Sequence, residues 1–156
     1  GMYTRALAYI LSHGADGLRQ VSGDAVLNAN YILRSLDDVL DAPFGASGPC
    51  MHEALFSDNG FAEGFSTNDL AKGLIDEGYH PMTVYFPLVV HGAMLVEPTE
   101  TESKAGIDQF VGAMRSLAER ARAGDEMLKA APHLAPRHRL DETLAARKPK
   151  LVWKED

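Results

Sequence analysis

The side chains with the most chemistry to offer are six histidines, His13, His52, His80, His91, His133 and His138, and a single cysteine, Cys50. Zinc sites usually take ligands at short fixed spacings, and neither a His-x3-His nor a Cys-x2-Cys pair occurs, so no metal site is expected. The Gly-x-Ser-x-Gly elbow, the Walker loop and the Gly-x-Gly-x-x-Gly turn are also missing. Cys50 follows Pro49 at the start of an apolar run and reads as a small apolar residue rather than a nucleophile. A stand-alone enzyme built on Cys50 or on a histidine pair therefore ranks last among the readings.

Two segments are unusually polar and aromatic for core-forming stretches: Gly78-Tyr79-His80-Pro81-Met82-Thr83-Val84-Tyr85-Phe86-Pro87 and Glu97-Pro98-Thr99-Glu100-Thr101-Glu102-Ser103. The surrounding pattern predicts the elements that position them. A helix is expected from Thr4 to about His13, interrupted by Gly14 and Gly17. A longer one spans Ser22 to Leu40, where Val26, Leu33, Leu36 and Leu40 recur at near-helical spacing. Cys50–Phe56 reads as a strand bounded by Asp58-Asn59-Gly60. Ser66 or Thr67 caps the next helix, with Asp69 in its first turn, and Gly78 closes it.

Thr83–Val90 is rich in β-branched and aromatic residues, and Ala93–Val96 reads as a second buried strand, giving an antiparallel pair. Thr99 and Glu102 read as a capping box that launches a long helix, with Ile107, Phe110, Val111, Met114, Leu117 and Ala121 on its apolar stripe. After Gly124 a short amphipathic piece gives way to Pro132, Pro136 and a charged tail with little regular structure. The fold class is α+β, a short, mainly antiparallel sheet covered by helices. The chain divides into N-terminal helices (1–40), an α/β sandwich core (41–131) and an extended basic tail (132–156).

Composition bounds the function classes. With 46% apolar and 24% charged residues over 156 positions, one packed domain is expected. A net charge of −7 disfavours nucleic acid and anionic membrane, which call for clustered Lys and Arg. Arg137, Arg139, Arg147, Lys148 and Lys150 gather late and read as a solvated tail. One cysteine excludes an internal disulfide and fits a reducing, cytoplasmic compartment. No run approaches the length of a bilayer span, the start lacks a secretory pattern, and Gly1 before Met2 reads as a tag remnant.

Beyond the two polar segments, short motifs recur in order along nearly the whole chain: Tyr9-Ile10-Leu11, Val26-Leu27-Asn28-Ala29-Asn30-Tyr31, Met51-His52-Glu53, Thr67-Asn68-Asp69-Leu70-Ala71-Lys72, Arg139-Leu140-Asp141-Glu142 and Ala146-Arg147-Lys148-Pro149. Together they resemble the C-terminal domain of glycine decarboxylase, the P-protein of the glycine cleavage system, in particular its second subunit. The resemblance implies the small C-terminal domain of a pyridoxal-phosphate (PLP) enzyme of the aspartate-aminotransferase fold type, part of a larger cytoplasmic protein.

It also implies glycine as substrate, decarboxylated with PLP as electron sink, and lipoylated H-protein as acceptor of the aminomethyl group. The partners are then the missing PLP-binding large domain and P-protein subunit 1. No catalytic residue is assigned to this chain. A Schiff-base lysine must be buried and face a phosphate cradle, a setting not suggested for Lys72, Lys104, Lys129, Lys148, Lys150 or Lys154. Lys72 instead has Asp69 and Asp76 at helical spacing, and Lys104 has Asp108. The chain alone is expected to be inactive.

Cleft-lining roles fall first to His80 and Thr83, where the family pattern His-Pro-Pro-Thr stands as His80-Pro81-Met82-Thr83, and next to Glu97 and Thr99. No arginine lies between Cys50 and Glu97, which for a decarboxylase avoids over-stabilising the ground-state carboxylate. The sequence departs from the family at His91-Gly92, where members tend to have Pro-Glu. Asn28 and Asn30 are assigned to backbone groups of the missing domain. The rival reading is a free-standing, non-catalytic α+β binding or regulatory module.

Overall fold

The computed structural model describes residues 1–153; Lys154 lies outside them. In chain order the elements are α1 (Met2–Leu36), a 3-10 turn (Gly45–Ser47), β1 (Ala54–Phe56), α2 (Thr67–Asp76), β2 (Thr83–Val84), β3 (Met94–Val96), α3 (Lys104–Ala123), α4 (Glu126–Lys129) and α5 (Glu142–Arg147). The fold is a small α+β domain with a three-stranded antiparallel sheet in the order β1-β3-β2. The pairing of β2 with β3 is the one anticipated; that of β1 with β3 adds the other edge.

α1 is broken at Gly14, whose φ of 62° and ψ of −175° lie outside the helical region. Gly17 stays helical, so the chain needs only one of its two glycines for the break. The second limb ends at Leu36, short of the expected Leu40, and the chain turns there with Val39 and Leu40 still buried. Ala29, Ile32, Leu33 and Leu36 share its inner face at i, i+3, i+4 and i+7, while Leu27, two residues before Ala29 and so on the opposite face, is 67% exposed.

Both outer expectations for the strands shorten. β1 covers only the last part of Cys50–Phe56, and β2 stops after two residues because Tyr85 takes a positive φ of 57° and Pro87 has no amide to donate. The register sets Ala54 against Val96 and Phe56 against Met94, so these four residues of β1 and β3 share one buried face, while Leu55 and Leu95 look the other way, half-buried.

α2 and α3 close over the buried face. Asp69 accepts from the Ser66 amide at 2.8 Å and the Ser66 hydroxyl at 2.9 Å, which fixes the start of α2. Gly73 lets α2 meet α3 and α4, since a Cβ there would stand 2.7 Å from methyls of Leu117 and Leu128. Phe56, Leu74, Met94, Met114, Leu117 and Leu128 form the fully buried centre.

Two expectations about helix ends are corrected. Thr99 and Glu102 do not cap α3: the helix starts at Lys104, with the Ser103 hydroxyl accepting from the Gly106 amide at 3.1 Å. Thr99 opens a preceding turn, its carbonyl accepting from the Glu102 amide. The tail is not featureless, because Asp141 caps the six-residue α5 by accepting from the Leu144 amide at 2.8 Å.

Nor is the tail simply solvated. Arg139 donates to the buried Asp69 at 2.7 Å and to the Ala131 carbonyl, which holds this part-exposed guanidinium against the first turn of α2. Lys72 pairs with Glu142 at 3.0 Å rather than with its helix neighbours Asp69 and Asp76. Asp76 turns instead to the amides of His133 and Leu134.

Candidate functional site

A groove of about 380 Å³ opens where the end of the α2–β2 connection, the end of β3 and the first turns of α3 converge. Its lining combines the polar side chains of His80, Thr83, Glu97 and Glu102 with the apolar ones of Ile32, Ile107 and Phe110. Tyr79, also in the lining, sets its ring edge-on to Phe110 at 5.4 Å. The polar side chains reach the groove because each sits just beyond a buried element: β3 carries Val96 inward and leaves Glu97 exposed, and β2 begins at the exposed Thr83.

Of the four predicted cleft residues, the structure therefore gathers His80, Thr83 and Glu97 around one opening. Thr99 lies in an adjoining shallow depression that Glu97 shares, along with His52 and Glu100. Its hydroxyl is engaged by Thr101 at 2.7 Å.

The loop bearing Thr99 is tied to α1. Asn28 donates to the carbonyls of Thr99 and Glu102, and Tyr9 donates to Glu100 at 2.6 Å. That hydrogen bond raises the Tyr9 phenol above its ordinary range and lowers the Glu100 carboxyl. Asn30 exchanges hydrogen bonds with the Cys50 backbone in both directions, at 2.7 and 2.9 Å. Both asparagines thus find backbone partners inside this chain, correcting their assignment to an absent domain.

Among the described residues no lysine lines the groove. Lys72 faces Glu142, Lys104 is held by Asp108 and the Tyr31 hydroxyl, and Lys129 pairs with Glu126 and covers the Phe65 ring. Ion pairing to Asp108 raises the Lys104 ammonium, favouring the charged form that cannot act as a nucleophile. Burial pushes the Cys50 thiol up as well, away from the reactive thiolate.

One grouping has no counterpart in the spacing rules. His52, Glu53 and Glu97 bring one donor atom each to within 4.8 Å of one another. His52 and Glu53 are adjacent and Glu97 is remote in sequence, so only the pairing of β1 with β3 unites them. Among the described residues no helix is long and apolar enough to cross a membrane.

Residues 21–133 match the family model for the glycine dehydrogenase C-terminal domain. The chain is 65% identical over 156 residues to a probable glycine dehydrogenase (decarboxylating) subunit 2 of Caulobacter vibrioides, covering 99% of this chain and 30% of that protein. Proteins of the same name from Shouchella clausii and Listeria innocua are 50% and 46% identical, over 98% and 100% of this chain and 31% and 32% of theirs. The chain thus spans about a third of the length of the curated relatives it matches.

Proposed function

The chain belongs to the glycine dehydrogenase C-terminal domain family, and from that membership we propose that it works as the closing domain of a glycine-decarboxylating enzyme whose cofactor is held by the rest of the protein. The partner is a first subunit, the substrate glycine, and the acceptor of the aminomethyl group the lipoyl arm of a carrier protein, all in the cytoplasm. The parent fold would be that of a type I PLP transferase, with residues 1–40 as the helices leading into its small domain, 41–131 as the core of that domain and 132–156 as a basic tail.

When bound, PLP supplies the electron sink for loss of the carboxylate. The described lysines do not fit the cofactor itself, since Lys72, Lys104 and Lys129 are ion-paired and Lys148 and Lys150 are exposed. What this chain contributes is the groove. His80 and Thr83 offer it polar contacts, and Ile107 and Phe110 lower the local polarity. Among the described residues no arginine lines it. A substrate carboxylate therefore meets no ion pair here that would favour the ground state over the charge-depleted transition state.

The convergence of His80, Thr83 and Glu97 on one opening carries this reading. Its test is glycine-dependent carbon dioxide exchange by the complete enzyme carrying His80→Ala or Glu97→Gln. A fall in kcat/KM of at least about tenfold, near 1.4 kcal/mol, is expected. Unchanged exchange in both variants would remove the groove from the active cleft and favour a non-catalytic binding module.

A further inference from the structure

The antiparallel register that sets Ala54 against Val96 places Glu53, immediately before β1, opposite Glu97, immediately after β3. Two like charges directly opposed across a strand pair destabilise it. His52 stands between them, its Nε2 4.0 Å from Glu53 Oε1 and 3.9 Å from Glu97 Oε1. A direct charge-assisted hydrogen bond would close those gaps to about 2.7–2.9 Å. Among the described residues, none of these three side chains makes a hydrogen bond within that range.

The spacing instead suits an ion. A ligand nitrogen and a carboxylate oxygen each stand about 2.0–2.2 Å from zinc, so a metal between His52 and either glutamate spans the observed gap with movements of tenths of an ångström. All three side chains are part-exposed, at 53%, 36% and 56%, which leaves further coordination positions open to water. Imidazole favours zinc and its neighbours over magnesium or calcium, and two carboxylates neutralise a divalent charge.

We propose that His52, Glu53 and Glu97 form a divalent-cation site, zinc being the fitting ion, that clamps the start of β1 to the end of β3 beside the groove. This stands independently of the glycine-decarboxylating reading, because it rests only on donor type and register.

The test is calorimetric titration of the complete, tag-free protein with zinc alone in a non-chelating buffer. One saturable equivalent per chain is expected, weakened at least about tenfold by His52→Ala and by the isosteric Glu97→Gln, and unaffected by His91→Ala. Magnesium should bind far more weakly at the same site. Absence of saturable binding, or binding that survives either substitution at full strength, would overturn the site and leave His52 as an imidazole bridging two carboxylates.

Discussion

The two ends of the molecule invert what their sequences advertise. The first limb of α1, up to the break at Gly14, is regular helix, yet Met2, Tyr3 and Leu11 are 80%, 90% and 73% exposed. Its one side-chain tie to a distant part of the described chain is the Tyr9–Glu100 hydrogen bond. The stretch after Pro132 is irregular and proline-punctuated, yet it is pinned to α2 through Asp69, Lys72 and Asp76. Helix formation draws on local hydrogen bonds, whereas order in an irregular segment must come from tertiary contacts. A helix of about a dozen residues is marginal in water by itself.

The sharpest break in that contrast is Asp69→Ala. It removes the cap of α2 and leaves Arg139 without its carboxylate, and should cost about 3 kcal/mol in urea denaturation. A loss below about 1 kcal/mol would mean the tail is not anchored there. Gly73→Ala follows, because the new methyl pushes α2 off Leu117 and Leu128 and displaces the three tail anchors together. About 1–3 kcal/mol is expected, read as a fall in Tm accompanied by faster proteolysis after Pro132.

Acid should release the tail from its first anchor. Burial works against the charge of Asp76, but the Leu134 and His133 amides outweigh it and hold the carboxyl below the usual carboxylate range. The depressed value means the contact stabilises the fold above the ordinary carboxylate pKa of about 4 and fades as pH falls through the lower folded value. Protection of the His133 and Leu134 amides from hydrogen exchange, taken relative to the intrinsic rate at each pH, should fall in that acid window, and Asp76→Asn should abolish that change.

Two smaller effects complete the comparison. Lys72→Ala breaks an ion pair whose glutamate is largely exposed, so about 0–1 kcal/mol is expected, decreasing with added salt. Leu7→Asp, on the exposed arm, should change the stability of the 156-residue chain by less than about 0.5 kcal/mol. A larger loss would show that the arm packs on this domain after all.

Much of the fold was legible because its signals are local. Gly14 and Gly124 mark helix ends by their positive φ, and Ser66 with Asp69 marks a helix start three residues apart. The stripe through Ile107, Met114, Leu117 and Ala121 runs along the buried face of α3. The misread start of α3 has the same origin: Thr99-x-x-Glu102 has the spacing of a cap, but Asn28 claims the carbonyls of both residues and holds them in a turn. For the candidate site, His80, Thr83 and Glu97 could be named from two polar segments. The grouping of His52 and Glu53 with Glu97 could not.

By itself the sequence determined the family, through short motifs kept in order, and the positions of most helices, because a periodicity of 3.6 and its caps need no knowledge of distant residues. Only the tertiary structure decided who meets whom. Strand register opposed Glu53 to Glu97, the chain's return past α2 gave Arg139 to Asp69, and the fold of the Thr99 loop onto α1 gave partners to Asn28. Each of these joins residues from separate elements, and such contacts form only after loop closure has brought those elements together, which no local pattern encodes.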